Sequence, residues 1–109
     1  MSPDPSREFL QLVDTFLQEL LARLDEFDPD ELEADSAAGV IKMAFADGSV
    51  CVLNRQSAAE QIWLAEGASA WHFLRDESTG AWLDTKGRGD LMVILSDILT
   101  KRLGRAIQL

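Results

Sequence analysis

Apolar side chains recur every three to four positions near the start of the chain, at Phe9, Val13, Phe16, Leu20, Leu24 and Phe27, with Leu10, Leu17 and Leu21 widening the stripe. That period is the signature of an amphipathic helix with one buried face. Asp4 followed by Pro5, or Ser6 with Glu8 close behind, supplies a cap at its start. Pro29 biases Asp28 out of helical geometry, so the helix is expected to end near Phe27. The pattern then shortens. VIKMAFA (40–46) and SVCVLN (49–54) flank Asp47-Gly48, a dipeptide suited to a two-residue hairpin turn with positive φ. QIWLA (61–65) and AWHFL (70–74) flank EGAS as a second hairpin, and AWLD (81–84) follows a polar turn ending in Gly80. Asp90 can cap a last helix in which Leu91, Leu95, Ile98, Leu99 and Leu103 share a stripe and Gly104 marks the end. Helix, antiparallel strands, helix is the order of an α+β two-layer sandwich, with both helices on one face of the sheet.

A length of 109 residues is enough for one hydrophobic core, so residues 1–109 are expected to form a single domain. The single cysteine, Cys51, rules out an internal disulfide and a thiolate cluster for zinc or iron–sulfur. No basic segment leads into an apolar run at MSPDPSREF, and no stretch approaches the roughly 20 apolar residues of a membrane span. A cytoplasmic protein without a membrane partner is the expectation. The net charge of -9 is carried unevenly. Through Asp47 there are twelve acids against Arg7, Arg23 and Lys42; beyond it, seven acids and seven bases cancel. One strongly negative side points to a cation or a basic partner and argues against nucleic acid.

The densest part of that charge is LDEFDPDELEAD (24–35), which holds Asp25, Glu26, Asp28, Asp30, Glu31, Glu33 and Asp35 with no basic residue. The periodicity places Asp25, Glu26 and Asp28 in the last turn of the first helix, at the negative end of its dipole, where each anion costs about 0.3 to 1 kcal/mol. Local rules favour Lys there, and such violations are expected where function overrides stability. A bound cation would relieve the repulsion. Oxygen ligands without imidazole or thiolate suit Ca²⁺, Mg²⁺, Mn²⁺ or iron, and the absence of an EF-hand pattern makes shallow, weak binding the expectation. A solvated, solubilising segment is the competing reading. A catalytic carboxylate pair fits worse, since it needs a partly buried pocket with split pKa values.

A second surface follows from strand alternation. If Ile62 and Leu64 face the helices, Trp63 stands on the open face of the sheet beside Gln61, with Asn54, Arg55 and Gln56 closing the preceding strand. An aromatic ringed by amides and a guanidinium has the composition of a protein-binding hot spot, although a lone exposed Trp can also merely shield the sheet. His72, without a neighbouring His or Cys, reads as a structural sheet residue. Cys51 and Met43 read as packing, and Trp71, Phe73 and Trp82 as builders of the sheet. No phosphate-binding loop or Ser/His/Asp nucleophile arrangement is present.

LDEFDPDELEAD, DGSVCVLNRQ, QIWLA, WHF and a terminal leucine-rich helix, in this order over nearly the whole chain, resemble the frataxin family, in particular its bacterial CyaY branch. The resemblance implies a small non-enzymatic protein of iron–sulfur cluster assembly, an iron donor or sensor that engages and modulates the cysteine desulfurase and its scaffold protein. It implies weakly held Fe²⁺ or Fe³⁺ at Asp25, Glu26, Asp28, Asp30, Glu31, Glu33 and Asp35, and a partner surface at Asn54, Gln56 and Trp63. A monomer is expected, with iron-driven assembly left open. Ala22 stands where bacterial members often extend the acidic ridge, and Pro29 where glycine is common. Two alternatives keep the fold: a metal-independent acidic module that docks on a basic protein, and a weak ferroxidase, for which the sequence supplies no di-iron motif.

Overall fold

The computed structural model describes residues 5–109. The elements run α1 (Pro5–Leu24), β1 (Leu32–Ala37), β2 (Val40–Phe45), β3 (Val50–Gln56), a 3-10 turn (Ser57–Ala59), β4 (Gln61–Glu66), β5 (Ser69–Arg75), β6 (Trp82–Asp84) and α2 (Leu91–Leu103). The six strands form one antiparallel meander in chain order. Both helices cover the same face, as the α+β sandwich expectation requires. Ile41, Leu53 and Leu64 lie in register across β2, β3 and β4, buried against Val13, Leu17 and Leu20 of α1 and Leu95 and Leu99 of α2 in one core. Trp82 closes the core at the far edge, edge-on to Phe9 at 6.1 Å between ring centroids and tilted against Phe16 at 5.9 Å. Cys51 is buried, and burial pushes its thiol up to about 12, so it serves as packing rather than as a nucleophile.

Three local features differ from the sequence expectation. Regular helix stops at Leu24 instead of near Phe27. Glu26 and Phe27 donate to the carbonyls three residues back, at 3.2 Å each, so the last turn tightens before the chain leaves. Leu32–Ala37, read as part of an acidic segment, is strand β1. Its period-2 signal is weak because only Leu32 is fully buried and its residues are poor strand formers, while β2 pairs with it along one side only. The hairpin with two central residues at positive φ is Ala38-Gly39, joining β1 to β2, whereas the turn at Asp47-Gly48 is longer and only Gly48 is left-handed there.

The N-terminal cap expected at Asp4 or from the Ser6 side chain lies outside what the structure describes. Asp90 caps α2 as expected, accepting from the Met92 backbone N–H at 2.7 Å. Gly104 ends the helix at φ 71, donating its N–H to the Thr100 carbonyl. The chain then doubles back along α2. The Ile107 N–H donates to Thr100 Oγ1 at 2.9 Å and the Leu109 N–H to Ser96 Oγ at 3.1 Å, laying Ile107 and Leu109 against the core.

Candidate metal and partner surface

The acidic run is divided by the fold. The Asp25 N–H still donates to the Leu21 carbonyl, so Asp25 and Glu26 stand at the negative end of α1. Asp28, expected in the same helical turn, lies beyond it and builds the corner instead. Its Oδ1 accepts the Asp30 N–H at 2.9 Å, and its carbonyl accepts from Glu31 and Leu32. With Pro29 fixing the backbone at the corner, Asp28 has a structural task apart from any ligand.

From there strand alternation sorts the remaining carboxylates. Leu32 points into the core and Glu33 and Asp35 point out. Asp25 and Glu33 line one open hollow floored by Leu24, Phe27 and Leu32, and no basic side chain contributes to it. Asp30 borders a different hollow, beside Asp47 and Arg102. Glu31 is already paired, accepting from Arg105 Nη2 at 2.7 Å, and that guanidinium also lies over the Phe27 ring. Asp35 stands directly across from Lys42. Among the described residues no three His, Cys, Asp or Glu side chains converge to enclose a metal ion. Asp25 and Glu33 offer hard carboxylate oxygens on an open surface, a donor type that suits a weakly held hard cation keeping most of its water.

Asp47, read from sequence only as a turn residue, belongs to the neighbouring hollow. Its carboxylate accepts from the Ser49 side chain and N–H and lies 3.7 Å from Arg102, contacts that hold it below the ordinary carboxylate range. Arg102 in turn grips Glu66 at 2.7 Å, tying α2 to both hairpin ends.

The Trp63 surface is assembled by register. Trp63 pairs with Asn54 on one side and His72 on the other, and Gln61 pairs with Gln56. The indole N–H donates to Gln61 Oε1 at 2.8 Å, fixing both side chains. His72 stacks on the indole with ring centroids 4.1 Å apart and planes 8° from parallel. The sequence reading left His72 out of this surface, although equal strands about EGAS already place it opposite Trp63. Arg55 is the opposite case. It shares the alternation of Cys51 and Leu53, turns toward the helical layer and pairs with Asp14 of α1 at 2.7 Å, so the guanidinium expected beside Trp63 is absent from that face.

Asp35 lies on the open side of the sheet with Trp63, whereas Asp25 stands at the β1 edge where α1 ends. Asp35, Lys42, Val52 and Ala65 form one cross-strand row, next to the row of Asn54, Trp63 and His72. Three strand spacings separate the acidic edge from Trp63, about 14 Å at 4.7 to 4.9 Å per strand. A single partner can span both.

A family model described as a frataxin-like domain matches residues 2–105. The iron-sulfur cluster assembly protein CyaY of Delftia acidovorans is 39% identical, over 94% of this chain and 94% of that protein. Frataxin from Psychromonas ingrahamii superposes with a TM-score of 0.84 at 22% identity, covering 94% of this chain and 95% of that one. A trimeric frataxin from the yeast Saccharomyces cerevisiae, complexed with ferrous, superposes with a TM-score of 0.74 at 26% identity, covering 86% of this chain and 87% of that one.

Proposed function

The chain belongs to the frataxin-like family, and on that premise we propose that it is a non-catalytic protein of iron–sulfur cluster assembly that carries iron as cargo and regulates the cysteine desulfurase and its scaffold protein. The observation that carries this reading is the hollow shared by Asp25 and Glu33. Two carboxylates line it near the negative pole of α1, and no basic residue is among its lining side chains. Local electrostatics disfavour that arrangement on its own, and an added cation stabilises it.

Iron enters as a weakly coordinated, exchangeable ion. Asp25 and Glu33 supply the first ligands, and Glu26 adds charge beside them. The same negative edge draws a basic patch of the desulfurase toward the sheet by long-range attraction. Asn54, Gln56, Gln61 and Trp63 then give short-range fit, with His72 holding the indole flat. Because iron and the basic partner address one edge, bound iron changes docking, and the protein reports iron availability as a change in desulfurase rate. In this role it acts in the cytoplasm as a monomer.

A metal-independent docking module is the second reading, favoured by Glu31. Its pairing with Arg105, whose guanidinium lies over Phe27, is a contact of the kind that a basic partner would make with this ridge. Desulfurase activity measured with and without the protein, at low and high iron, separates the two. The iron-carrier reading predicts an iron-dependent effect that Asp25→Asn/Glu33→Gln abolishes. An effect of equal size at both iron levels leaves the docking module.

A further inference from the structure

The open face of the sheet does not end at Trp63. The next cross-strand row runs Gln61, Leu74, Leu83, so the residue that accepts the indole N–H is followed by two leucines side by side on β5 and β6. They are 49% and 42% exposed, among the most exposed large apolar side chains among the described residues. A solvated sheet face ordinarily carries polar residues at such positions, and single exposed leucines are common, but a contiguous pair beside a flat aromatic stack forms an apolar patch.

Leu74 also forms the lip of a groove at the lower end of the sheet, where Phe9 and Leu12 of α1 make the apolar floor. Glu8, Glu60 and Glu77 stand around it with Arg75 as the one basic residue, leaving the groove net negative. Its apolar floor and negative rim are complementary to an aliphatic side chain with a cation next to it.

We infer that the docking face continues past Trp63 over Leu74 and Leu83 into this groove, and that it receives a partner segment carrying an aliphatic side chain flanked by a basic residue. The inference rests on the docking reading above and deepens it. The partner meets an acidic edge at β1, amides and aromatics in the middle, and aliphatic surface with an acidic rim at β5 and β6. That graded surface fixes which way round the partner lies.

The test uses the full chain and the purified desulfurase with its scaffold protein. Leu74→Ser/Leu83→Ser removes the apolar patch at exposed positions, and Glu8→Gln/Glu77→Gln removes rim charge; thermal melts confirm that both variants fold. The leucine variant is expected to raise Kd about tenfold through faster dissociation, with unchanged salt dependence. The rim variant is expected to slow association and flatten its salt dependence. Wild-type affinity in the leucine variant overturns the inference. So does a result in which the leucines affect only self-association of this chain, measured by sedimentation. Failure of the wild-type protein to bind the complex at all overturns the docking reading itself, a distinct outcome.

Discussion

The Trp63 indole and the His72 imidazole lie face to face on the open side of the sheet, 4.1 Å between ring centroids. Backbone register puts them opposite each other, and the Gln61 amide locks the indole from below. The two rings therefore act as one flat platform. A double-mutant cycle of Trp63→Ala and His72→Ala is expected to show a coupling of about 0.5 to 1.5 kcal/mol in chemical denaturation. Strictly additive losses would mean that the stack has no energetic content.

Arg55 links the two layers of the fold. Its ion pair with Asp14 joins β3 to α1, with the two side chains 26% and 48% exposed. Arg55→Gln is expected to cost about 0.5 to 1 kcal/mol of stability, given that exposure, and to leave partner affinity unchanged. Gln56→Ala should do the reverse. A loss of binding on Arg55→Gln equal to that on Gln56→Ala would place Arg55 back at the interface.

Asp84 makes stability depend on acid. Its buried carboxylate accepts from Arg88 Nε at 2.8 Å, from Arg88 Nη2 at 3.0 Å and from the Arg88 backbone N–H, and Arg88 also reaches the Ala70 carbonyl. These contacts hold the Asp84 carboxyl at about 2, below the ordinary 3.8. A depressed folded-state value contributes stability above pH 3.8 that is lost as pH falls toward 2. The contribution at neutral pH is about 2 kcal/mol. Unfolding free energy followed from pH 5 to 2 should fall less steeply for Asp84→Asn, which starts lower. Parallel curves for the two proteins would show that Asp84 is not the group responsible.

The returning C-terminal segment is held through two side-chain hydroxyls. Thr100 Oγ1 accepts the Ile107 N–H, and Ser96 Oγ accepts the Leu109 N–H while donating to the Met92 carbonyl at 2.6 Å. Thr100→Val keeps the volume and removes the acceptor, so a loss of about 1 kcal/mol is expected. Amide exchange at 107 and 109 should accelerate with little change in β3 and β4. Unchanged exchange at 107 would contradict the latch.

What the residues disclose in advance follows how strongly each element depends on its own pattern. The stripes from Phe9 to Leu24 and from Leu91 to Leu99 face a core, so their periods declare both helices. Trp63 could be placed on the open face because Ile62 and Leu64 on either side had to be buried. β1 was hidden because an edge strand of acidic and small residues draws its conformation from the neighbour it pairs with. The grouping of seven carboxylates was also only partly legible. Sequence proximity brought them together, but the Asp28 turn, the Arg105 pairing of Glu31 and the alternation in β1 distribute them over separate environments. Alternation along VCVLNRQ puts Arg55 with the buried Cys51 and Leu53, so its departure from the Trp63 face is legible in the strand's own pattern.

The central claim is that Asp25 and Glu33 together form a landing place for iron. The most direct measurement is an anaerobic Fe²⁺ titration followed by backbone amide resonances, in the wild-type protein and in Asp25→Asn/Glu33→Gln. Selective shifts or broadening at residues 24–35 in the wild type, lost in the variant while the sheet resonances stay in place, is the predicted result. Perturbation spread evenly over the surface acids, or an identical response in both proteins, would contradict it.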